Sequence, residues 1–288
     1  MHNIIYFFQF FFIIFLFLIL KILGFKYSSI FSGKIFSIIG PFFRSNKLSY
    51  SNLTNAFPNL DSFQKKIIIQ KMWFNYGRIF SEYMYIKKFR QSSNFQKKIF
   101  IENSDILEKI KKNSEPVVFV SGHFNNFELM AMQIEKAGIN LATIYRPLNN
   151  KFLNPLMESI RRNFICKKQI KKGISGTKEL LKNFKNGTSI ALMIDQRVSE
   201  GIKSNFFNRK ALTTTIPAQF VKKFNAKIFP VYIERLKDNN FKIKIYDSIN
   251  FEKDASVSEI TSELNEILEK MIEKNPEQWI WTHNRWKL

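Results

Sequence analysis

Residues 116–129 read PVVFVSGHFNNFEL, an apolar run that passes through a polar turn into a second apolar stretch. Residues 117–120 have the length and the β-branched content of a buried strand. Residues 127–137 carry apolar side chains at helical spacing and end at Gly138, a residue type that often closes a helix. A strand, a turn and a helix in this order predict an α/β sheet protein.

The same alternation continues on both sides of this unit. Predicted helices cover residues 62–85, 154–163, 177–184, 214–224 and 258–273, and predicted strands cover residues 141–145, 189–194, 227–234 and 241–246. The fold class that we expect is therefore α/β, with a central mixed sheet flanked by helices.

The N-terminal residues predict a membrane anchor. Residues 4–20 are all apolar or aromatic except Gln9, and the stretch continues for several residues past Lys21. Roughly 20 such residues are enough for a helix to cross about 30 Å of hydrocarbon. A signal peptide is disfavoured because no Lys or Arg precedes the run and no small-residue cleavage site follows it. We expect an uncleaved anchor over residues 1–25 and a separate domain over residues 26–288.

The charges around the apolar run predict its orientation. The basic residues nearest to the run all follow it: Lys21, Lys26, Lys34, Arg44 and Lys47. Cytoplasmic flanks of membrane spans are enriched in Lys and Arg, so this asymmetry predicts a single span with the rest of the chain in the cytoplasm. A helix lying in the membrane interface is the alternative, and it is weaker because the run is apolar on all sides.

The chain carries 45 Lys and Arg residues against 23 Asp and Glu residues, a net charge of +22. Such a balance favours binding to a polyanion: nucleic acid, an anionic bilayer surface or a phosphorylated substrate. Part of the charge is compositional, because Lys, Asn, Ile and Phe are abundant together, as an AT-rich genome would give. No nucleic-acid partner is expected, since the sequence shows neither a recognisable module nor basic residues interleaved with aromatic ones on one element.

The sequence does not predict a metal or disulfide framework. Cys166 is the one cysteine, which excludes an internal disulfide and suits a reducing compartment. Because it lies in Asn163-Phe164-Ile165-Cys166 without a nearby histidine, a buried structural thiol is favoured over a nucleophile. The histidines His2, His123 and His283 lie far apart and lack metal-ligand spacing. No metal and no cofactor is expected.

Polar side chains follow three of the predicted strands at the point where each strand ends. These strand ends are Ser121-Gly122-His123, Tyr145-Arg146-Pro147 and Asp195-Gln196-Arg197. Ligand sites of open α/β sheets form beyond the carboxyl ends of the strands, and residues on such loops are better functional candidates than residues on helix faces. The three strand ends therefore predict a polar site that contains a histidine and two arginines.

His123 and Glu128 form the sharpest candidate pair, a carboxylate five residues after a histidine across a strand-to-helix turn. Gly122 is expected to give the backbone the freedom for this turn. Glu128 can fold back from the first helical turn to accept from one ring nitrogen, which leaves the other nitrogen as a base for an alcohol. The alternative is a hydrogen-bonded turn histidine followed by a carboxylate that the helix dipole favours.

The segment Ser121-Gly122-His123-Phe124-Asn125-Asn126-Phe127-Glu128-Leu129 resembles the His-x4-acid motif of the late acyltransferases of lipid A biosynthesis, the lauroyl and myristoyl acyltransferase family. The resemblance continues in Asn55-Ala56-Phe57-Pro58, Gly77-Arg78 with Glu82, Tyr145-Arg146-Pro147-Leu148-Asn149-Asn150, Asp195-Gln196, Phe206-Phe207, Ala211-Leu212-Thr213, Pro276-Glu277-Gln278-Trp279-Ile280-Trp281 and His283-x-Arg285-Trp286. This ordered set spans nearly the whole chain and is far more specific than His-x4-acid alone. Phe127 stands where many members carry tryptophan, a conservative aromatic change.

The resemblance implies an O-acyltransferase with a glycerolipid-acyltransferase-like fold on the cytoplasmic side of a bacterial inner membrane. It implies acyl carrier protein as the carrier of the donor acyl chain and a hydroxyl of a lipid A precursor, a glycolipid, as the acceptor. His123 would be the general base oriented by Glu128, and Arg146 would bind phosphate or stabilise the oxyanion. The substrate pocket would also contain Asp195, Gln196 and Arg197. A monomer is the expected state.

Three alternatives stay open on the sequence. The same chemistry suits another lipid acceptor, such as a lysophospholipid, an aminolipid or a glycosylated lipid. A non-catalytic, membrane-tethered protein that binds polyanions would explain the charge without any reaction. The cluster of Trp279, Trp281 and Trp286 either packs a last strand against the core, which we favour, or forms an amphipathic surface at the membrane.

Overall fold

The computed structural model of the protein describes residues 2–288. Its strands are β1 (Ile99–Glu102), β2 (Val118–Ser121), β3 (Leu141–Tyr145), β4 (Lys168–Lys171), β5 (Ser189–Met193), β6 (Ile202–Phe206), β7 (Arg209–Thr213), β8 (Ile228–Arg235) and β9 (Phe241–Ile245). Its α-helices are α1 (His2–Ile22), α2 (Gly24–Phe43), α3 (Asn46–Ala56), α4 (Ser62–Glu82), α5 (Ile86–Gln91), α6 (Ser93–Gln96), α7 (Ser104–Asn113), α8 (Glu128–Lys136), α9 (Leu153–Ile160), α10 (Ile174–Lys185), α11 (Ile216–Phe224) and α12 (Val257–Lys274). A π-helical turn, Arg161–Ile165, continues α9.

Within residues 2–288, seven strands form one sheet in the order β1-β9-β8-β2-β5-β3-β4. The five strands from β8 to β4 run parallel to one another, and the antiparallel pairing of β8 with β9 reverses the direction of the last two. Strand β2 lies in the middle and all its residues are buried, as expected of a parallel strand covered by helices on both faces. This arrangement confirms the predicted α/β fold with a mixed central sheet.

The predicted helices and strands are all present, with ends that differ by a few residues. The prediction missed β1, β4 and the separate antiparallel hairpin of β6 and β7. Strand β4 shows the reason: its sequence is Lys-Gln-Ile-Lys, and its two lysines are exposed at the sheet edge. A four-residue edge strand with charged ends lacks the apolar pattern that sequence reasoning depends on.

The apolar N-terminal run forms α1, and residues Asn3–Ile22 are long and apolar enough to cross a membrane. Met1, the first residue of the predicted anchor 1–25, lies outside the described residues. The helix ends at Ile22 rather than at residue 25, because Gly24 takes a positive φ of 70° and begins α2 in a new direction. Most of the apolar side chains of α1 are exposed, which is typical of a helix that lies in lipid.

Helices α2 and α4 pack against each other at unusually close range. The buried residues of α2 are all small: Ser28, Ser29, Ser32, Gly33 and Gly40. From α4, Gly77 faces them so closely that a Cβ atom there would lie 2.2 Å from the carbonyl oxygen of Ser32. Small residues allow two helix backbones to approach, and here they join the N-terminal helices to the sheet domain.

This close packing predicts that Gly77→Ala destabilises the protein, although Ala is normally the better helix former. The added methyl group must displace the backbone of α2, and overpacking of this kind costs about 1–3 kcal/mol. Thermal unfolding of the protein in detergent should show a lower melting temperature. The matched control is Ser258→Ala at an exposed position of α12, which should change the melting temperature little. An unchanged melting temperature for Gly77→Ala would contradict the packing.

Candidate active site

The central pair of the candidate site comes from the parallel register of β2 and β5. Ser121 at the end of β2 lies opposite Met193 at the end of β5. Two residues further along each chain, His123 and Asp195 leave the sheet at the same level. The Nδ1 atom of His123 lies 2.7 Å from a carboxylate oxygen of Asp195. Two strand ends that are 72 residues apart in sequence therefore form one imidazole–carboxylate pair.

Asp195 is completely buried, and its carboxylate accepts several hydrogen bonds. Besides the ring of His123, the backbone N–H of His123 donates to Asp195 at 2.9 Å. The indole N–H of Trp279 donates to the same oxygen at 2.9 Å. These donors and the nearby imidazole outweigh the burial, which alone would raise the pKa of Asp195, and hold that pKa below its usual range. Asp195 is therefore ionised, and no face of it is open to a substrate.

The ring of His123 is partly open to solvent, with 22% of its side-chain surface exposed. Because Nδ1 donates to Asp195, Nε2 is the ring nitrogen that is left to accept a proton. Phe127 packs edge-on against the imidazole with 4.8 Å between the ring centroids and fixes its plane. This is the arrangement that a general base requires: one nitrogen held by a carboxylate and the other directed outward.

The environment of His123 raises the pKa of its imidazole above the ordinary value. Burial acts in the opposite direction, but the negative charge of Asp195 and the hydrogen bond to it outweigh the burial. The charges of Glu128 and Arg161 also act on this pKa, Glu128 raising it and Arg161 lowering it. The result is a stronger base than a solvated histidine.

The turn that carries His123 is shaped differently from the prediction. Gly122 does not take a left-handed conformation; glycine is required because a Cβ atom would lie 2.9 Å from the ring of Phe124. The left-handed residue is Asn125, with a φ of 45°. Asparagine tolerates this region, and its side chain accepts a hydrogen bond from the backbone N–H of Asn126 at 2.8 Å.

Glu128 does not orient His123 as expected from the sequence. In the described residues, its carboxylate binds the guanidinium of Arg161, with Nη2 at 2.6 Å and Nε at 2.8 Å, and accepts a further hydrogen bond from the hydroxyl of Tyr83. The physical reason is position: Glu128 begins α8 and points toward the π-helical turn and α4, whereas Asp195 reaches the ring from the adjacent strand. Arg161 and Tyr83 lacked a recognisable signal in the sequence.

A second buried charge pair holds the His123 turn to the N-terminal helices. Arg235 at the end of β8 donates to both carboxylate oxygens of Glu82, at 2.6 and 3.0 Å, and both side chains are almost fully buried. Asn126 donates to Glu82 at 3.1 Å, and Arg235 also donates to the side chain of Asn125 at 2.7 Å. Removing one partner of such a pair typically costs about 3–5 kcal/mol, since an uncompensated charge is left buried.

The other predicted site residues take different positions. Gln196 lies beside the base, with its amide nitrogen 3.5 Å from Nδ1 of His123. Arg146 is exposed at the end of β3, two strands away from β2, a lateral distance of about 10 Å. Arg197 turns to the end of the chain, where its guanidinium donates to the carbonyl oxygen of Lys287 at 2.7 Å. The structure thus brings Gln196 to the pair and directs the guanidinium of Arg197 to the C-terminal segment.

The C-terminal tryptophans have the structural role that we favoured. Trp279 and Trp281 are buried and pack edge to face with 4.6 Å between their rings, although their segment is irregular and not a strand. His283 is also structural: it accepts from the backbone N–H of Arg197 at 2.9 Å, and burial lowers its pKa. The contact of Trp279 with Asp195 was not predicted, because it joins residues 84 positions apart.

Cys166 is buried, as predicted, and its thiol donates to the carbonyl oxygen of Leu141 at 3.1 Å. Burial raises the pKa of this thiol to about 12, so the reactive thiolate is scarce at neutral pH. The structure therefore gives no support to a covalent acyl intermediate on this residue.

The mixed α/β sheet thus carries an imidazole–carboxylate pair at its carboxyl edge, and it is preceded by an apolar helix that is long enough to cross a membrane. The family model of the bacterial lipid A biosynthesis acyltransferases matches residues 1–288, and the chain belongs to this family. It is therefore an acyltransferase of lipid A biosynthesis.

Curated relatives agree with the family. The chain is 23% identical to the lipid A biosynthesis acyltransferase 2 of Shigella flexneri over 238 residues, which cover 80% of this chain and 74% of that protein. It is 21% identical to the lipid A biosynthesis myristoyltransferase of Escherichia coli K12 over 242 residues, which cover 82% and 73%. It is 24% identical to a lipid A biosynthesis acyltransferase of Haemophilus influenzae over 262 residues, which cover 88% and 81%.

The contact between His123 and Asp195 predicts the effect of Asp195→Asn on the histidine. The amide lacks the negative charge that stabilises the imidazolium, so the pKa of His123 should fall. NMR titration of protein labelled at its histidine rings measures this pKa directly. Asp254→Asn, at an exposed position far along the chain, is the matched control and should leave the titration unchanged. An unaltered pKa of His123 in Asp195→Asn would contradict the pairing.

Proposed function

We propose that the protein transfers a fatty acyl chain from an acyl carrier protein thioester to a hydroxyl of a lipid A precursor, with His123 as the general base. The observation that carries the proposal is the pair of His123 and Asp195, with Nδ1 bound to a buried carboxylate and the ring open on its other side. Family membership supports the acyl transfer and the glycolipid pathway. Acyl carrier protein as donor is carried over from the resemblance of the sequence motifs.

In the proposed reaction, Nε2 of His123 takes the proton of the acceptor hydroxyl while the oxygen of that hydroxyl attacks the thioester carbonyl carbon. The resulting tetrahedral intermediate carries a negative oxygen. It collapses when the carbon–sulfur bond breaks, and the imidazolium returns the proton to the departing thiolate. Asp195 stays ionised throughout, stabilises the imidazolium and holds the ring, so it is a positioning residue rather than a substrate ligand.

The cationic residues receive two different roles in this proposal. Arg161 is fixed by Glu128, and its charge acts on His123, which suits stabilisation of the negative oxygen formed next to the base. Arg146 is exposed at the same edge of the sheet and is suited to bind a phosphate group of the acceptor. Gln196, beside the imidazole, is suited to bind the substrate.

The location that we propose is the cytoplasmic side of a bacterial inner membrane, with α1 as the membrane element and the protein acting as a monomer. The length and apolarity of Asn3–Ile22 support membrane insertion. The basic residues that follow α1 and the net charge of +22 support a cytoplasmic orientation next to anionic lipid.

The proposal predicts that His123→Ala abolishes acyl transfer. Loss of a general base costs about 10²–10⁴ in rate, and no neighbouring residue replaces it. The assay supplies purified protein in vesicles with an acyl carrier protein thioester and a lipid A precursor, and mass spectrometry detects the product. Binding of the variant to anionic vesicles is the control and should be unchanged. Transfer that persists in His123→Ala, with vesicle binding intact, would identify a binding protein or a different base.

Deletion and restoration of the gene test the acceptor in cells. Loss and return of one acyl chain of lipid A is the expected result. An unchanged lipid A together with altered phospholipids would overturn the assignment of the acceptor and support an acyltransferase of another lipid.

Glu128 and Arg161 are predicted to act as one unit. If Glu128 serves the reaction by fixing Arg161, Glu128→Gln and Arg161→Gln each lower kcat/KM, and the double variant falls little further than the single ones. By contrast, the loss of kcat/KM in the double variant Asp195→Asn/Glu128→Gln should equal the product of the two single losses, because Asp195 acts on His123 and not on Arg161. Fully multiplicative losses for Glu128→Gln and Arg161→Gln would show that the two residues act separately.

A further inference from the structure

Helix α9 has an apolar face that the described part of the protein covers only in part: Ile160 packs against the core, whereas Leu156 is exposed. Its residues Leu153, Leu156, Met157 and Ile160 recur at helical spacing, yet none of the residues of α9 is buried. Leu156 is 36% exposed, and Leu148 in the preceding loop is 39% exposed. An amphipathic helix of a soluble domain normally buries this face against the core.

The loop before α9 is docked on the apolar helix α1 through one side chain. Asn150 is buried, and its amide nitrogen donates to the carbonyl oxygen of Tyr6 at 2.9 Å and lies 3.4 Å from the side-chain oxygen of Gln9. Its carbonyl oxygen accepts from the backbone N–H groups of Phe152 and Leu153 at 3.0 and 3.2 Å. One amide therefore ties the first turn of α9 to the second turn of α1.

Aromatic contacts extend this docking along α1. Phe152 packs against Phe7 and Phe10, with 5.7 and 6.4 Å between ring centroids. Further along α1, Phe17 packs against Phe80 of α4 at 4.9 Å. The domain thus follows α1 from Tyr6 to Phe17, about 16 Å along the helix axis.

We propose that α9 and the loop of residues 146–152 form, together with α1, one continuous lipid-contacting surface, and that acyl chains of the bilayer cover Leu148 and Leu156. The proposal rests on α1 as the membrane element proposed above, with α1 lying along the bilayer surface beside the domain, because the contacts from Tyr6 to Phe17 hold more than half of its length against the domain. Bilayer hydrocarbon is the occupant because the loop that precedes α9 packs directly against α1, the helix suited to lipid. Lys151, which lies over the ring of Phe152, can extend its ammonium to the headgroups.

This surface has a consequence for the candidate site. Helix α9 continues directly into Arg161, whose guanidinium binds Glu128 next to His123. Asn150 is therefore a positioning residue: by docking α9 on α1, it holds the segment that carries Arg161 at the membrane. A lipid substrate would reach His123 along α9 without leaving the bilayer surface.

Crosslinking tests the docking in vesicles with the full-length chain. The variant Phe7→Cys/Phe152→Cys should be joined within one chain by a short bismaleimide, since the native rings are 5.7 Å apart. Cys166 does not compete, because it is buried and its pKa is raised to about 12. Adding Asn150→Ala should slow the crosslink about tenfold, as expected for the loss of about 1.4 kcal/mol, whereas Asn149→Ala, at the exposed neighbouring amide, should not. Absence of the intramolecular crosslink, or equal rates in the two variants, would overturn the docking.

Fluorescence quenching tests the lipid contact. A fluorophore on Leu156→Cys should be quenched by lipids with brominated acyl chains, whereas the same fluorophore on Glu263→Cys, exposed on α12, should not. Equal quenching at both positions, or quenching at neither, would overturn the proposed surface. Both measurements are made without turnover and are repeated with His123→Ala. The crosslink and the selective quenching at position 156 can be found while His123→Ala still transfers acyl chains. In that case the proposed reaction is wrong and the lipid-contacting surface is supported.

Discussion

The structure of the candidate site depends on the parallel pairing of β2 with β5. This register places the backbone of His123 level with Asp195, so that one carboxylate accepts from both the main chain and the ring of the same residue. A slip by one residue would send one of the two side chains to the opposite face of the sheet. The geometry of the candidate site is therefore a property of the sheet register, and the surrounding helices bury the strands that set this register.

The pair of Glu82 and Arg235 extends this constraint to the N-terminal helices. It connects α4, the end of β8 and the turn after His123. A buried ion pair is weak evidence for stability, but it specifies one arrangement strongly, because any other leaves a charge without a partner. The N-terminal helices and the candidate site are thus coupled by charge as well as by packing.

Much of the fold could be predicted because its signals are local. The apolar run of β2, the polar turn and the helix after it all lie within residues 117–137, and the same kind of pattern located β3, β5 and β8. The sequence predicted Glu128 as the partner of His123 because the two residues lie five positions apart, whereas the observed contact with Asp195 depends on the pairing of two distant strands. The same holds for Arg161, Tyr83 and Trp279, which reach the site from elements whose packing no local pattern encodes. The short strand β4 was missed for a different reason, because lysines at both of its ends hide its one apolar side chain.

The indole of Trp279 has a consequence for how the protein matures during synthesis. Asp195 acquires this donor only after 84 further residues have been added to the chain. Chains generally fold from the N-terminus as they are made. Helix α1 is therefore made long before the carboxylate of Asp195 can accept all its hydrogen bonds from the protein. Asp195 therefore has all its protein donors only after the segment around Trp279 has been made and has packed against the sheet.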